Sequence, residues 1–142
     1  MLTEMKDLVR AHSACVLATS SENRPYCSLM AYAVNDDASE IYMATQRSTR
    51  KFANLTANPA VSLLIDTRNE VLRAQVRALT VEGTCEPVTD PARKELIRAQ
   101  LLAVHPHMAA FLTQDDCAIL CITVTSFLLL KGLTDAHYAT LG

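Results

Sequence analysis

Ser48, Thr49, Arg50 and Lys51 set two hydroxyls and two cations side by side. The stretch Ser48-Thr49-Arg50-Lys51-Phe52-Ala53-Asn54-Leu55 reads as a short helix capped by Ser48 or Thr49. The start of a helix already exposes free N–H groups and carries partial positive charge. Each cation in its first turn therefore costs about 0.3–1 kcal/mol. A bound anion resolves that conflict: a phosphate accepts from the N–H groups and the hydroxyls and pairs with both cations. Arg47 adds a third positive charge just upstream. The alternative is a solvated, mildly frustrated surface turn, and the residues alone leave both readings open.

Other chemistry-bearing residues point less sharply. His105-Pro106-His107, followed by Asp115 and Asp116, has the ingredients of a metal site, but a kinked surface turn is the expectation. His12 ends an expected helix, where a cation suits the dipole. Spacing gives His137 no chemistry. Tyr26, Tyr32 and Tyr42 either border a planar ligand or pack on strands, and packing is the expectation. Arg68, Arg73 and Arg77 form a second basic stretch. Arg73, Gln75 and Arg77 would share one face of a strand, which is costly to bury without a ligand or an acidic partner. The three glycines, Gly83, Gly132 and Gly142, build no phosphate loop, so Walker and Rossmann fingerprints are excluded. A hydrolase elbow of the G-x-S-x-G type is absent too.

The elements that must position these groups follow from pattern. Leu2, Met5, Leu8 and Val9 have helical spacing. Ala14–Thr19 reads as a strand, Ser20–Pro25 as a turn, and Tyr26–Val34 as a second strand. Asn35–Ala38 turns the chain into a strand over Glu40–Ala44. The short helix from about Ser48 stops at Asn58-Pro59, because a residue before proline avoids the helical region. Val61–Ile65 and Arg73–Glu86 read as strands, the second bent at Gly83. Asp90-Pro91 opens a helix with the stripe Leu96, Ile97, Leu101 and Leu102, which Pro106 ends. Met108–Leu112 adds a helical turn, and Cys117–Lys131 is a long strand. About six strands and three or four short helices, joined mostly by hairpins, predict a mainly β, α+β protein. A small antiparallel barrel with peripheral helices fits; a doubly wound parallel sheet does not.

The 142 residues fit one domain, 1–142, and half are hydrophobic, enough for a full core. A net charge of −2 argues against nucleic acid as the main partner. The five cysteines, in odd number and without framework spacing, predict reduced thiols in a cytoplasmic protein. Cys117 and Cys121 would lie about 13 Å apart on one strand face, too far for a disulfide. They read as small core residues. The first twelve residues are charged and amphipathic rather than a signal peptide, and the apolar run from Cys117 to Leu130 is too short and too interrupted to span a bilayer. No membrane association is expected.

The order of several segments resembles the FMN-binding split-barrel family that includes pyridoxamine 5′-phosphate oxidase. The carrying residues are Val16-Leu17-Ala18-Thr19, Arg24-Pro25-Tyr26 and Ile41-Tyr42-Met43-Ala44-Thr45. Ser48-Thr49-Arg50-Lys51 follows, with Asn54-Leu55, Asn58-Pro59 and Val61-Ser62-Leu63-Leu64. Ala74-Gln75-Val76 and Val81-Glu82-Gly83 complete it. The resemblance spans about Val16 to Glu86, with a looser match through the last long strand. It implies a six-stranded split β-barrel that forms a homodimer with FMN at the subunit interface. It implies that Arg50 and Lys51 hold the FMN phosphate, assisted by Ser48 or Thr49. By the same resemblance, Ser28, Leu29 and Met30 line the isoalloxazine ring, Ala44 and Thr45 form a second contact pair, and Gln75 reaches the flavin.

One departure matters. Pyridoxamine phosphate oxidases end in a segment bearing arginine and histidine that grips the substrate phosphate. This chain ends Thr134-Asp135-Ala136-His137-Tyr138-Ala139-Thr140-Leu141-Gly142 without it. The expectation is an FMN-dependent oxidoreductase acting on another small molecule, with a nicotinamide cofactor as reductant. Ser62–Asp66 and Leu79–Gly83 also resemble the haem-utilisation branch, which would make His137 or His105 axial ligands. A flavin carrier or redox module without catalysis would need the same phosphate clamp.

Overall fold

The computed structural model describes residues 1–72 and 75–141. Helix α1 (Leu2–Ala11) leads into strands β1 (Ala14–Ser21) and β2 (Arg24–Ala31), the two-residue strand β3 (Ala33–Val34) and β4 (Glu40–Gln46). Helix α2 (Arg50–Ala57) precedes β5 (Ala60–Asp66) and β6 (Arg77–Pro87). Helix α3 (Pro91–Val104), a 3-10 turn (Pro106–Met108) and α4 (Ala109–Leu112) then lead to β7 (Cys117–Lys131) and β8 (Asp135–Thr140). The strands form one antiparallel sheet in the order β2-β1-β5-β6-β7-β4-β3, with β8 also on β7. It curls into a split barrel. There are eight strands among the described residues rather than six.

The sequence explains most of these boundaries. Glu22 and Asn23 both take positive φ, 52° and 64°, which makes the β1–β2 turn a two-residue one, tighter than the Ser20–Pro25 cluster suggested. Thr49 caps α2 by accepting from Phe52 N, and Asp90 caps α3 by accepting from Arg93 N. The expected strand Tyr26–Val34 breaks at Tyr32 into β2 and β3. The expected strand Arg73–Glu86 begins only at Arg77. Arg73 lies outside the described residues. The C-terminal stretch, for which the pattern gave no element, pairs with β7 as β8.

Two apolar clusters hold the fold. The barrel interior packs Leu17, Met43, Leu63, Val81 and Phe127, with Met5, Leu8 and Val9 of α1 closing one end. The second cluster lies where α3 and α4 cover the outer face of β4 and the first half of β7: Ile97, Leu101 and Leu112 pack there with Ala44, Cys117, Ile119 and Cys121. Residues 117–122 are accordingly buried on both faces, whereas 125, 128 and 130 are exposed. That is why the first half of this strand reads as a continuous apolar run and the second half alternates. Of the α3 stripe, Ile97 and Leu101 are buried while Leu96 and Leu102 face solvent. Among the described residues, no helix is long and apolar enough to cross a membrane.

Candidate functional site

Strands β3 and β4 pair only through Ala33–Tyr42 and Val34–Ile41. Continuing that register would set Ala31 against Ala44, Met30 against Thr45 and Leu29 against Gln46. These six residues do not pair with one another. They instead line a cleft of about 370 Å³, together with Thr49, Lys51, His107, Met108 and Phe111. The split of the barrel is thus a hairpin whose strands part, because β2 swings away to pair with β1 along its whole length.

Tyr32 fixes the point of parting. Its N–H donates to Ser13 O at 2.9 Å, and its hydroxyl to Val9 O at 2.6 Å. Its carbonyl lies 3.0 Å from His105 Nε2, a contact that requires the proton on that nitrogen. Burial pushes the Tyr32 phenol well above its usual range.

Register also says which backbone groups look into the cleft. The Ser21–Arg24 pair closes a two-residue hairpin and is hydrogen-bonded, so Leu29 and Ala31 fall at positions that do not bond to β1. Arg47 N donates to Asp116 O across β4–β7, so Ala44 and Gln46 direct their backbone groups the other way. Two strand edges therefore face one another with groups that no ladder bond uses, apart from Gln46 O, which accepts from the Thr49 hydroxyl at 2.8 Å. A planar ligand with donors and acceptors along its rim matches such a slot.

The four residues at the start of α2 separate in space. Lys51 and Thr49 line the cleft. Arg50 does not; its guanidinium lies over the Tyr26 ring, 5.0 Å from the centroid. Ser48 Oγ donates to Asp116 Oδ2 at 2.8 Å, and Arg47 Nη1 donates to Asp115 O at 2.9 Å. The hydroxyl protons of both Ser48 and Thr49 are thus engaged by oxygens of the protein. Among the other expected contacts, Leu29, Met30, Ala44 and Thr45 line the cleft, and Leu29 is 80% exposed. Ser28 is not among the lining residues. Gln75 is exposed in the β5–β6 connection, its N–H donating to Leu72 O, and stands apart from the cleft of its own chain.

His107, Met108 and Phe111 form a wall that sequence reasoning missed. His105-Pro106-His107 is a kinked turn, but His105 is buried against Tyr32, and His107 follows it onto the rim. The usable signal was apolar: Met108 and Phe111, three apart, mark a buried face directly after His107. No group of three or more His, Cys, Asp or Glu able to hold a metal occurs among the described residues. Tyr32 and Tyr42 are core residues, and Tyr42 donates to Glu40 Oε1 at 2.7 Å. Burial, followed by that carboxylate, pushes the Tyr42 phenol above its usual range. Arg77 meets an acidic partner, Glu4, at 3.1 Å, and Arg68 pairs with Asp66 at 3.2 Å. His137 Nε2 lies 2.9 Å from Asp135 on β8, and His12 Nε2 lies 2.8 Å from Glu70. All five cysteines are free thiols, and only Cys27 is exposed.

Residues 1–130 match the family described as pyridoxamine 5′-phosphate oxidase. No curated protein sequence matches the chain. Among solved structures, a heme binding protein from Mycobacterium smegmatis superposes with a TM-score of 0.85 at 17% identity, covering 98% of this chain and 57% of its own. The chain thus spans little more than half the length of that protein. A FAD-binding protein from Mesorhizobium loti gives a TM-score of 0.74 at 19% identity, covering 89% and 91%. A protein of the pyridoxinephosphate oxidase family from Clostridium acetobutylicum, related to general stress protein 26, gives 0.77 at 21%, covering 99% and 94%. At these identities the likeness shows the fold.

Proposed function

The chain belongs to the pyridoxamine 5′-phosphate oxidase family, and from that premise we propose that the cleft between β2, β4 and α2 binds FMN and serves an FMN-dependent oxidoreductase. The observation that carries this reading is the slot itself. Two unpaired strand edges, Leu29–Ala31 and Ala44–Gln46, lie beside a capped helix start that presents Lys51. The ring fits between the edges, where the backbone of Leu29 and Ala44 meets its polar rim. The phosphate fits the free N–H groups at the start of α2 and Lys51. Arg50, stacked on Tyr26 outside the lining, adds long-range attraction. Met108 and Phe111 exclude water from one side. Bound FMN supplies hydride or electron transfer at its ring, and the chain supplies orientation and local electrostatics.

The substrate is proposed to be a small molecule; Asp135–Thr140, paired with β7 as β8, supply no arginine to grip a substrate phosphate. A nicotinamide cofactor is the proposed reductant. The free thiols suit a reducing, cytoplasmic setting. The protein is proposed to work as a homodimer. Leu29, Val16, Leu64, Thr80, Leu128 and Tyr138 pair in turn across six strands and form one largely apolar row on the outer face. Leu29 and Tyr138 in it are 80% and 63% exposed. A second copy would bury that row beside the cleft, and the same apposition would offer Gln75 of one subunit to the flavin of the other.

The test is an absorbance spectrum of the purified protein after addition of FMN and desalting. Retained flavin bands are expected, with turnover when NADH or NADPH and an acceptor are added. Flavin retained without any turnover would instead favour a carrier or redox module. Sedimentation as a monomer would remove the dimer. A haem reading draws on the Mycobacterium smegmatis neighbour and on His107 at the cleft. His105 is a poorer ligand, being committed to Tyr32. Absence of a Soret shift on haem titration would remove that reading.

A further inference from the structure

We propose that His107 is a second anion-binding group of the cleft, gripping the phosphate end of the ligand together with Lys51. The identity of the ligand rests on the flavin reading above; the anion chemistry does not. The lining holds two charge-bearing side chains, Lys51 and His107, and no carboxylate. Nearby charges are committed elsewhere: Arg47 to Asp115 O, Arg50 to the Tyr26 ring and Asp116 to Ser48. Because the Ser48 and Thr49 hydroxyl protons are engaged, the helix start has fewer donors to offer than its sequence promises. The imidazole of His107, in the same lining, supplies one.

His107 is also held in place rather than carried on a free loop. His105 N donates to Leu101 O at 2.8 Å, Met108 N donates to His105 O at 3.0 Å, and the His105 ring is fixed by Tyr32 O. The two imidazoles meet edge to face, with centroids 5.8 Å apart at 89°. The hairpin break at Tyr32 and the presentation of His107 therefore share one anchor, His105. Met108 and Phe111 beside it are half-buried against the α3–α4 cluster and give the turn a packed base.

A histidine in this role makes binding depend on pH, because only the protonated imidazole carries a charge that attracts an anion. The groups around it are His105 on its own turn and Lys51 from α2. Strands β2 and β4 contribute uncharged lining residues; Asp116 of the α4–β7 connection accepts from Ser48, and the Asp115 carboxylate is not part of the lining, its backbone carbonyl accepting from Arg47. Protonation adds attraction for an anion, so affinity attributable to His107 is present at low pH and lost as pH rises.

The experiment compares FMN with riboflavin, which lacks the phosphate, in the wild type and in His107→Gln, by flavin fluorescence at about pH 6 and about pH 8.5. FMN should bind about tenfold more weakly to the variant at the lower pH. That gap should close at the higher pH, and riboflavin should bind both proteins alike. The common titration of the FMN phosphate cancels between wild type and variant. A gap that ignores pH, or that extends equally to riboflavin, overturns the proposal. If the wild type binds neither flavin, the flavin reading fails on its own. Inorganic phosphate then decides, read by the His107 ring resonances in NMR. A saturable shift that Lys51→Ala abolishes upholds the grip, and no shift overturns it.

Discussion

Strands β6 and β7 and strands β3 and β4 are both antiparallel pairs in the same sheet, yet they end differently. The first pair runs from Arg77–Lys131 to Pro87–Leu120 with a single irregularity at Glu82/Gly83. The second stops after two residue pairs and opens into the cleft. Side-chain pattern does not separate them, since Met30, Ala44 and Thr45 beyond the break are as buried as ladder residues. What separates them is competition for the backbone. Tyr32 gives its N–H to Ser13, its carbonyl to His105 and its hydroxyl to Val9, so β2 is held to the β1 side. Closure costs nothing where both partners want the same register; a slot appears where one strand has a better partner elsewhere.

The closed pair should be where substitutions cost most stability and least function. Phe127 is fully buried, opposite Val81 and Ala139. Phe127→Ala should lower unfolding free energy by about 3–5 kcal/mol while the molecules that remain folded bind FMN as before. Denaturant titration with and without FMN reads both, and a matching loss of affinity would break the contrast. Gly83 comes next. A Cβ there would lie 2.5 Å from Thr123 O and 2.8 Å from Ile122 Cγ2. Gly83→Ala therefore forces the strands apart at the bulge and should cost about 1–3 kcal/mol.

The open pair should show the reverse. Tyr32→Phe removes one buried hydrogen bond and leaves the Val9 carbonyl unsatisfied, at a cost of about 1–2 kcal/mol. Its larger signature should be in the cleft, as weaker FMN binding and faster amide exchange at Leu29–Ala31. If stability falls while affinity and exchange there stay unchanged, Tyr32 is not what holds the strands apart.

Much of this architecture was legible in sequence, and the illegible parts share a cause. Strand and helix positions followed from periodicity, caps and prolines, which are local. The cap at Thr49 and the stop at Asn58-Pro59 lay within a residue of expectation. The break at Tyr32 was not legible, because Ser13, Val9 and His105, which enforce it, are distant in sequence. For the same reason the Ser48–Lys51 cluster read as one clamp, whereas Asp116 and Tyr26, brought in by the fold, divide it. Strand β8 was missed because its partner edge on β7 exists only once the barrel forms. Leu29, Met30, Ala44 and Thr45 came from family resemblance, and the parted register now gives them a physical reason to lie together.

Helix α1 connects the two regions, and acid should separate its two attachments. At its C-terminal end the Val9 carbonyl holds Tyr32; at its N-terminal end Glu4 reaches Lys131 at 2.8 Å and Arg77 at 3.1 Å, one residue from each closed strand. The hydrogen bond from Lys131, opposed by some burial and joined by Arg77, holds the Glu4 carboxyl below its usual range. A lowered folded pKa means the native state binds fewer protons than the unfolded one. The contribution is therefore complete above the ordinary glutamate value and is lost as pH falls through the lower, folded one. Glu4 is about one-third exposed, so screening keeps the effect small, under about 1 kcal/mol, and added salt should shrink it. The measurement is stability against pH for wild type and Glu4→Gln, with amide exchange along α1. The two curves should converge in acid, and exchange should rise first on the turn holding Glu4, with the Tyr32 end still protected. Equal loosening at both ends would mean that α1 releases as a unit and that the open and closed pairs are coupled through it.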